Sequence, residues 1–266
     1  MSVQKTDINN QFTLSLRRFG LIGKTLGHSF SQRYFTQKFA DELIDAEYRN
    51  YELPSADLVL GIIETDKELE GLNVTIPYKQ DVMPLLDAIS DEAREIGAVN
   101  VIRIERNVQG LDGRNYRLTG YNTDVIGFRE SIRPLLREQH QKALVLGTGG
   151  ASKAVIHGLR QLGLTTLSVS RTAREGMITY DDIDENLLEE YNVIVNCTPL
   201  GTFPKVDACA PVPYQLLTPR HLLYDLVYNP EETEFLRRGK EQGATVKNGY
   251  EMLLRQAEAA WDIWNK

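Results

Sequence analysis

Only two cysteines, Cys197 and Cys209, occur in 266 residues. That is too few for a disulfide scaffold or a zinc cluster, and Cys197 lies in an apolar run that reads as buried strand, so both are taken as structural and no metal site is expected. No apolar stretch approaches the roughly 20 residues that a membrane helix requires. The opening MSVQKTDINN lacks the basic segment, apolar run and small-residue cleavage site of a secretory signal, so a soluble protein of the cytoplasm is expected. Basic charge is not in excess either: 30 Lys and Arg against 37 Asp and Glu leave a net charge of −7, and the basic residues are scattered. A nucleic-acid partner is therefore excluded on electrostatic grounds. Internal repeats and low-complexity tracts are also missing.

What remains is a composition of 42% hydrophobic and 25% charged residues, ordinary for a globular chain. The length fits two modest α/β domains better than one core. Short β-rich runs alternate with segments of helical period, the pattern of βα units around mostly parallel sheets. In the first half, strands are expected over 18–22, 48–53, 72–76, 99–104 and 118–121, with helices over 31–43, 56–64 and 78–86 and a hairpin or loop over 107–117. A helix over 124–137 leads into a polar connector, 138–142, where the pattern breaks between the halves. In the second half, strands are expected over 143–146, 166–170, 193–197, 222–226 and 244–246, and a helix from Gly249 to about Trp264 closes the chain. The first 16 residues are polar and weakly patterned, as in a loosely attached extension.

The strand over 143–146 runs straight into Gly147-Thr148-Gly149-Gly150-Ala151-Ser152, after which Ala151, Val155, Leu159 and Leu162 form a helical stripe. Glycines alone mark tight turns anywhere, but strand, glycine turn and amphipathic helix in this order point to a dinucleotide site. Gly147 permits the turn, Gly149 lets the backbone approach a pyrophosphate, and the helix starting near Gly150 aims free N–H groups and its positive dipole end at the phosphates; Ala151 keeps helix and strand close. About 20 residues on, where an acid would bind the ribose of NAD, the chain reads Ser170-Arg171-Thr172. An arginine fork with two flanking hydroxyls suits a 2′-phosphate, so NADP(H) is favoured. The alternative is an exposed arginine after a strand, and Arg174 either assists or is simply solvated.

A second polar feature is Asn73-Val74-Thr75-Ile76-Pro77-Tyr78-Lys79. Two polar side chains two residues apart share one face of a strand, and Lys79 falls where the expected helix over 78–86 begins, so that its ammonium would oppose the positive end of the dipole. An isolated lysine beside a proline turn is ordinarily a solvated surface group. Similar polar sets recur, however, at His28-Ser29-Phe30-Ser31, at Asn100, and at Asn122-Thr123-Asp124. Each follows or ends an expected strand, so all could converge on the carboxyl edge of one sheet, where open α/β sheets bind ligands. His28 taken alone reads as a structural histidine; Asn122 and Asp124 could equally cap the following helix.

With Gly97-Ala98-Val99-Asn100, Asn196-Cys197-Thr198-Pro199-Leu200-Gly201, Tyr228 and Asn248-Gly249 with Gln256 added in order, these residues resemble the shikimate dehydrogenase family over nearly the whole chain. The resemblance implies an α/β protein of two domains: a mixed, mostly parallel substrate-binding and catalytic domain at 1–123, and a Rossmann NADP-binding domain at 124–249, with the helix over 250–266 packing back on the first. It implies NADPH-dependent reduction of 3-dehydroshikimate to shikimate, a step in making aromatic amino acids. Lys79 and Asp124 would be the catalytic pair. Ser29, Ser31, Asn73, Thr75, Asn100, Tyr228 and Gln256 would bind the substrate; Gly147, Gly149, Gly150, Ala151, Ser170, Arg171, Thr172, Thr198 and Gly249 would bind the cofactor. Monomer and homodimer are both compatible with it. The chain departs from the family pattern at Gln32, Val125 and Ser170, which stand where a proline, a glycine and an asparagine are common, and in a short 172–192 segment that would remove a helix beside the adenosine pocket. Two other readings stay open: a quinate/shikimate dehydrogenase using NAD(H), against which the absence of an acid at 170–172 argues, and a non-catalytic NADP-binding regulator, against which the presence of both Lys79 and Asp124 argues.

Overall fold

The computed structural model describes residues 16–27 and 29–266; residues 1–15 of the expected extension and His28 lie outside the described residues. The first half comprises β1 (Arg17–Gly23), α1 (Phe30–Asp41), β2 (Ala46–Glu52), α2 (Val59–Thr65), β3 (Leu69–Val74), β4 (Ala88–Ile89), α3 (Asp91–Ile96), β5 (Val101–Arg106), β6 (Tyr116–Tyr121) and α4 (Asp124–Ile132). Its strands form a mixed sheet in the order β2-β1-β3-β5-β6-β4, in which only β5 runs against its neighbours. The second half comprises β7 (Lys142–Leu146), α5 (Gly150–Gln161), β8 (Thr165–Ser170), β9 (Met177–Thr179), α6 (Glu185–Glu190), β10 (Val193–Asn196), β11 (Leu222–Asp225), α7 (Glu234–Glu241), β12 (Thr245–Lys247) and α8 (Tyr250–Trp264). Its sheet is all parallel, ordered β12-β11-β10-β7-β8-β9, the Rossmann arrangement with its reversal between β7 and β10.

The strands that read as continuous apolar runs are those buried on both faces: every residue of β10 and β11, and all of β7 but Lys142, is buried. Five short elements, β4, β9, α3, α6 and α7, carry too few apolar positions to show a period. No helix lies between β8 and β9, where the chain turns back through 171–176.

One expected helix is absent. Tyr78, Val82 and Leu86 are buried at four-residue spacing, as a helix over 78–86 would require, yet the segment folds as successive turns with a single 3₁₀ turn at Met83–Leu85. Pro84 has no N–H to return to Gln80, and the Lys79 carbonyl accepts instead from Val99 N–H at 2.7 Å. Lys79 therefore stands on a turn, and no helix dipole acts on it.

α8 joins the two sheets. It leaves the parallel sheet at Gly249, whose N–H donates to the Val227 carbonyl, and where a Cβ would lie 2.2 Å from the Leu226 carbonyl oxygen. It then crosses α4, where Gly127 leaves no room for a Cβ beside the Met252 carbonyl, and ends on β3 and β5. There the Trp264 indole covers Gly71, donates to the Ile102 carbonyl at 3.1 Å and stacks on Phe19 at 4.9 Å. No helix among the described residues is long and apolar enough to cross a membrane.

Candidate functional site

A cleft of about 350 Å³ opens at the carboxyl edge of the mixed sheet, between it, α8 and the loop after β11. Its lining includes Ser29, Ser31, Asn73, Thr75, Lys79, Asn100, Asp124, Tyr228 and Gln256, so all nine residues expected at the catalytic and substrate positions meet in one place. Local structure explains how. Ser29 caps α1, accepting from Gln32 N–H at 3.1 Å, Asn73 is the penultimate residue of β3, and Asp124 opens α4, where the helix dipole favours its charge. Asn100 precedes β5 rather than following a strand; because β5 is antiparallel, its entry lies at the same sheet edge as the ends of β3 and β6.

At the floor of the cleft Lys79 Nζ stands 2.6 Å from Asp124 Oδ2, with the two side chains 16% and 12% exposed. The other carboxylate oxygen, Oδ1, accepts from Asn100 Nδ2 at 2.9 Å. The Asn100 amide is itself oriented by Thr123, whose backbone N–H donates to Asn100 Oδ1 at 2.7 Å and whose hydroxyl lies 3.1 Å from Nδ2. Asn100 thus spends its donors on Asp124 and Thr123 and fixes the carboxylate. Asn122 caps α4 by accepting from Val125 N–H at 3.2 Å and anchors to the Ala98 carbonyl at 2.9 Å. The result is an ammonium held, among the described residues, by Asp124 alone, in a part-buried polar cleft. Such a group can donate a proton to an oxygen or stabilise negative charge on it.

The expected nucleotide residues lie along the carboxyl edge of the parallel sheet. Gly147 has φ of 100°, a left-handed conformation, and a Cβ there would lie 3.0 Å from the Thr198 methyl, so the glycine turn and the loop after β10 meet at the strand-order reversal. Gly149 caps α5 without a side-chain hydrogen bond, and a Cβ at Gly149 or Gly150 would meet nothing within 4 Å. Among the described residues no group accounts for glycine at these two positions, whereas a pyrophosphate lying against the backbone would. Arg171 and Thr172 are exposed at the end of β8, and the buried Ser170 hydroxyl accepts from Thr172 N–H at 3.4 Å, steadying that turn. These features fit a dinucleotide carrying a 2′-phosphate. Gly249 differs: the Leu226 backbone alone explains its lack of a side chain.

Two features of the site went unread in the sequence. Phe30, between the two serines, makes edge contacts with Tyr228 at 6.0 Å and Tyr250 at 6.1 Å, carrying an aromatic cluster across the cleft. Asp225, wholly buried at the end of β11, accepts from Asn196 Nδ2 at 2.9 Å, Val227 N–H at 3.0 Å and the Thr233 hydroxyl at 2.5 Å. Asn196 Oδ1 in turn accepts from the N–H and hydroxyl of Thr198, so this carboxylate braces the loops bearing Thr198 and Tyr228. Burial raises its pKa to about 6 against those three hydrogen bonds. Between the ordinary value of 3.8 and about 6 the folded protein keeps a proton that the unfolded chain has released, so stability falls as pH rises through that window. Denaturant titrations of wild type and Asp225→Asn should show the wild type losing on the order of 2–3 kcal/mol relative to the variant between pH 4 and 7. Parallel pH profiles for the two proteins would contradict it.

A glycine-turn nucleotide unit beside a polar cleft with a lysine–aspartate pair defines an α/β protein of the dinucleotide-dependent dehydrogenase type. Residues 21–102 match the family model described as the shikimate dehydrogenase substrate binding domain. The NADP(+) shikimate dehydrogenase of Clostridium beijerinckii is 40% identical, the alignment covering 93% of this chain and 92% of that protein. A crystal structure of shikimate 5-dehydrogenase from Thermus thermophilus in complex with NADP(H) and shikimate superposes with a TM-score of 0.78 at 30% identity, covering 93% of each chain. Quinate dehydrogenase from Corynebacterium glutamicum in complex with NAD superposes with a TM-score of 0.79 at 26% identity, covering 93% of each chain. The chain belongs to the shikimate dehydrogenase family.

Proposed function

We infer that this protein is an NADP(H)-dependent shikimate dehydrogenase that reduces 3-dehydroshikimate to shikimate, reversibly, in aromatic amino acid biosynthesis. The observation that carries the reading is the convergence of nine polar residues, drawn from six separate stretches of chain, on a cleft headed by the Lys79–Asp124 pair. In this reading residues 1–123 together with α8 form the substrate-binding unit and 124–249 the nucleotide unit.

The bound cofactor supplies the hydride. Reduction of the ketone leaves negative charge on its oxygen, and Lys79 is the donor placed to meet it, giving up a proton from Nζ or holding the oxyanion. Asp124 keeps the ammonium on station, with Asn100 and Thr123 fixing Asp124, so the positioning is settled before substrate arrives. Ser29, Ser31, Asn73, Thr75, Tyr228 and Gln256 surround the remaining oxygens of the substrate. At the nucleotide end, Gly147, Gly149, Gly150 and Ala151 would hold the pyrophosphate at the start of α5, Ser170, Arg171 and Thr172 would hold the 2′-phosphate, and Thr198 and Gly249 would complete the cofactor site.

The absence of an acid at 170–172 favours this over an NAD(H)-dependent quinate/shikimate dehydrogenase. Arg171→Ala is expected to raise KM for NADP+ about 10- to 100-fold, the worth of a charge-assisted hydrogen bond to phosphate, with KM for NAD+ unchanged. Steady-state kinetics with both cofactors checks this; an equal effect on the two would remove Arg171 from phosphate recognition.

A further inference from the structure

We propose that Tyr48 is a positioning residue for substrate recognition: its buried hydroxyl holds the Asn73 amide with the N–H₂ group turned to the cleft. The proposal rests on reading that cleft as the shikimate site.

Tyr48 stands on β2, the strand outside β1, is 4% exposed and does not line the cleft. Its ring is fixed by packing, stacked on Phe35 at 4.9 Å with 10° between the planes, with Trp264 at 6.5 Å. The hydroxyl is thereby aimed at the end of β3, where it donates to Asn73 Oδ1 at 2.7 Å. One hydroxyl outside the cleft therefore fixes a residue that lines it.

A carboxamide can present either its oxygen or its N–H₂ group to a ligand, and which one decides whether it recognises donors or acceptors. Burial pushes the Tyr48 phenol well above the ordinary tyrosine range, so it stays protonated and its O–H stays available to the Asn73 oxygen. Among the described residues Asn73 Nδ2 has no hydrogen-bond partner, and it is not a sealed atom. The cleft therefore meets Asn73 as a donor, suited to a carboxylate, carbonyl or hydroxyl oxygen of the substrate. Without Tyr48 the amide loses the hydrogen bond that fixes it and is free to turn its oxygen to the cleft.

Tyr48→Phe removes one O–H and keeps the ring stack. The expected result is a rise of about tenfold in KM for shikimate, with KM for NADP+ unchanged and kcat within about threefold, and calorimetric titration of shikimate weakened by the same factor. The same substitution in an Asn73→Ala background should have no further effect on shikimate KM, because its action runs through Asn73. A Tyr48→Phe enzyme with wild-type KM for shikimate would overturn the proposal, as would an equal effect in both backgrounds or on both substrates. Wild-type turnover of shikimate, measured alongside, tests the reading of the cleft: its absence sinks that reading and this proposal together, whereas normal wild-type turnover with an indifferent variant sinks this proposal alone.

Discussion

Replacing Lys79 with methionine is expected to lower kcat by about 10³-fold while NADPH binding stays within about twofold of wild type. The size follows from what the side chain is asked to supply. A positioned proton donor or oxyanion partner contributes roughly 10²–10⁴ in rate, and among the described residues Lys79 is the only cation lining the cleft. Methionine keeps the apolar stem and the packing against the turn, and removes the charge. Asp124 stays held by Asn100 at 2.9 Å, so the local structure has a reason to persist. The ammonium lies on the substrate side of the site, away from the glycine turn, which is why cofactor affinity should not follow kcat. Initial rates with NADPH and 3-dehydroshikimate, paired with fluorescence titration of NADPH, check both halves. A fall of less than tenfold would assign the chemistry to another group, and a matching loss of NADPH binding would point to misfolding.

The second large effect belongs to Trp264, the last residue of α8. Trp264→Ala is expected to destabilise the protein by about 3–5 kcal/mol, the usual cost of deleting a large buried aromatic. The indole is 4% exposed, fills the space that Gly71 leaves open, stacks on Phe19 and donates to the Ile102 carbonyl, so alanine would leave a cavity and remove that hydrogen bond. Because Gln256 lies two turns earlier on the same helix and lines the cleft, loosening this end should also raise KM for shikimate. Equilibrium denaturation read beside kinetics separates the two consequences. A loss under 1 kcal/mol would mean that α8 is not anchored to the mixed sheet through this residue.

What could be read in the sequence follows from how local each signal is. The nucleotide turn was legible because strand, glycines and helix stripe occupy one continuous stretch. The cleft was partly legible: polar side chains at strand ends repeat in a pattern that surface loops do not need, but only the fold reveals that Asn100 reaches the same edge from the entry of an antiparallel strand. The same applies to its task, since nothing in Val99-Asn100-Val101 announces that its amide will hold Asp124. Tyr48 and Asp225 left no mark, because a tyrosine in a strand and an acid at the end of one are unremarkable until a partner is found. Tyr48 finds Asn73 25 residues away, and Asp225 finds Asn196 29 residues away. The expected helix over 78–86 failed for the opposite reason. Its period was real, but it recorded burial of Tyr78, Val82 and Leu86 against the core, while Pro84 and the Val99 N–H took the backbone out of helical pairing.

The most direct test is to follow nicotinamide absorbance with purified protein offered shikimate and quinate in turn, each with NADP+ and with NAD+. Rapid reduction of NADP+ with shikimate, at least tenfold faster than with the other three pairings, is the expected result. Comparable rates with quinate or NAD+ would move the protein to the broader-specificity branch of its family, and no reduction under any pairing, in folded protein that still binds NADPH, would contradict the assignment of this cleft to shikimate.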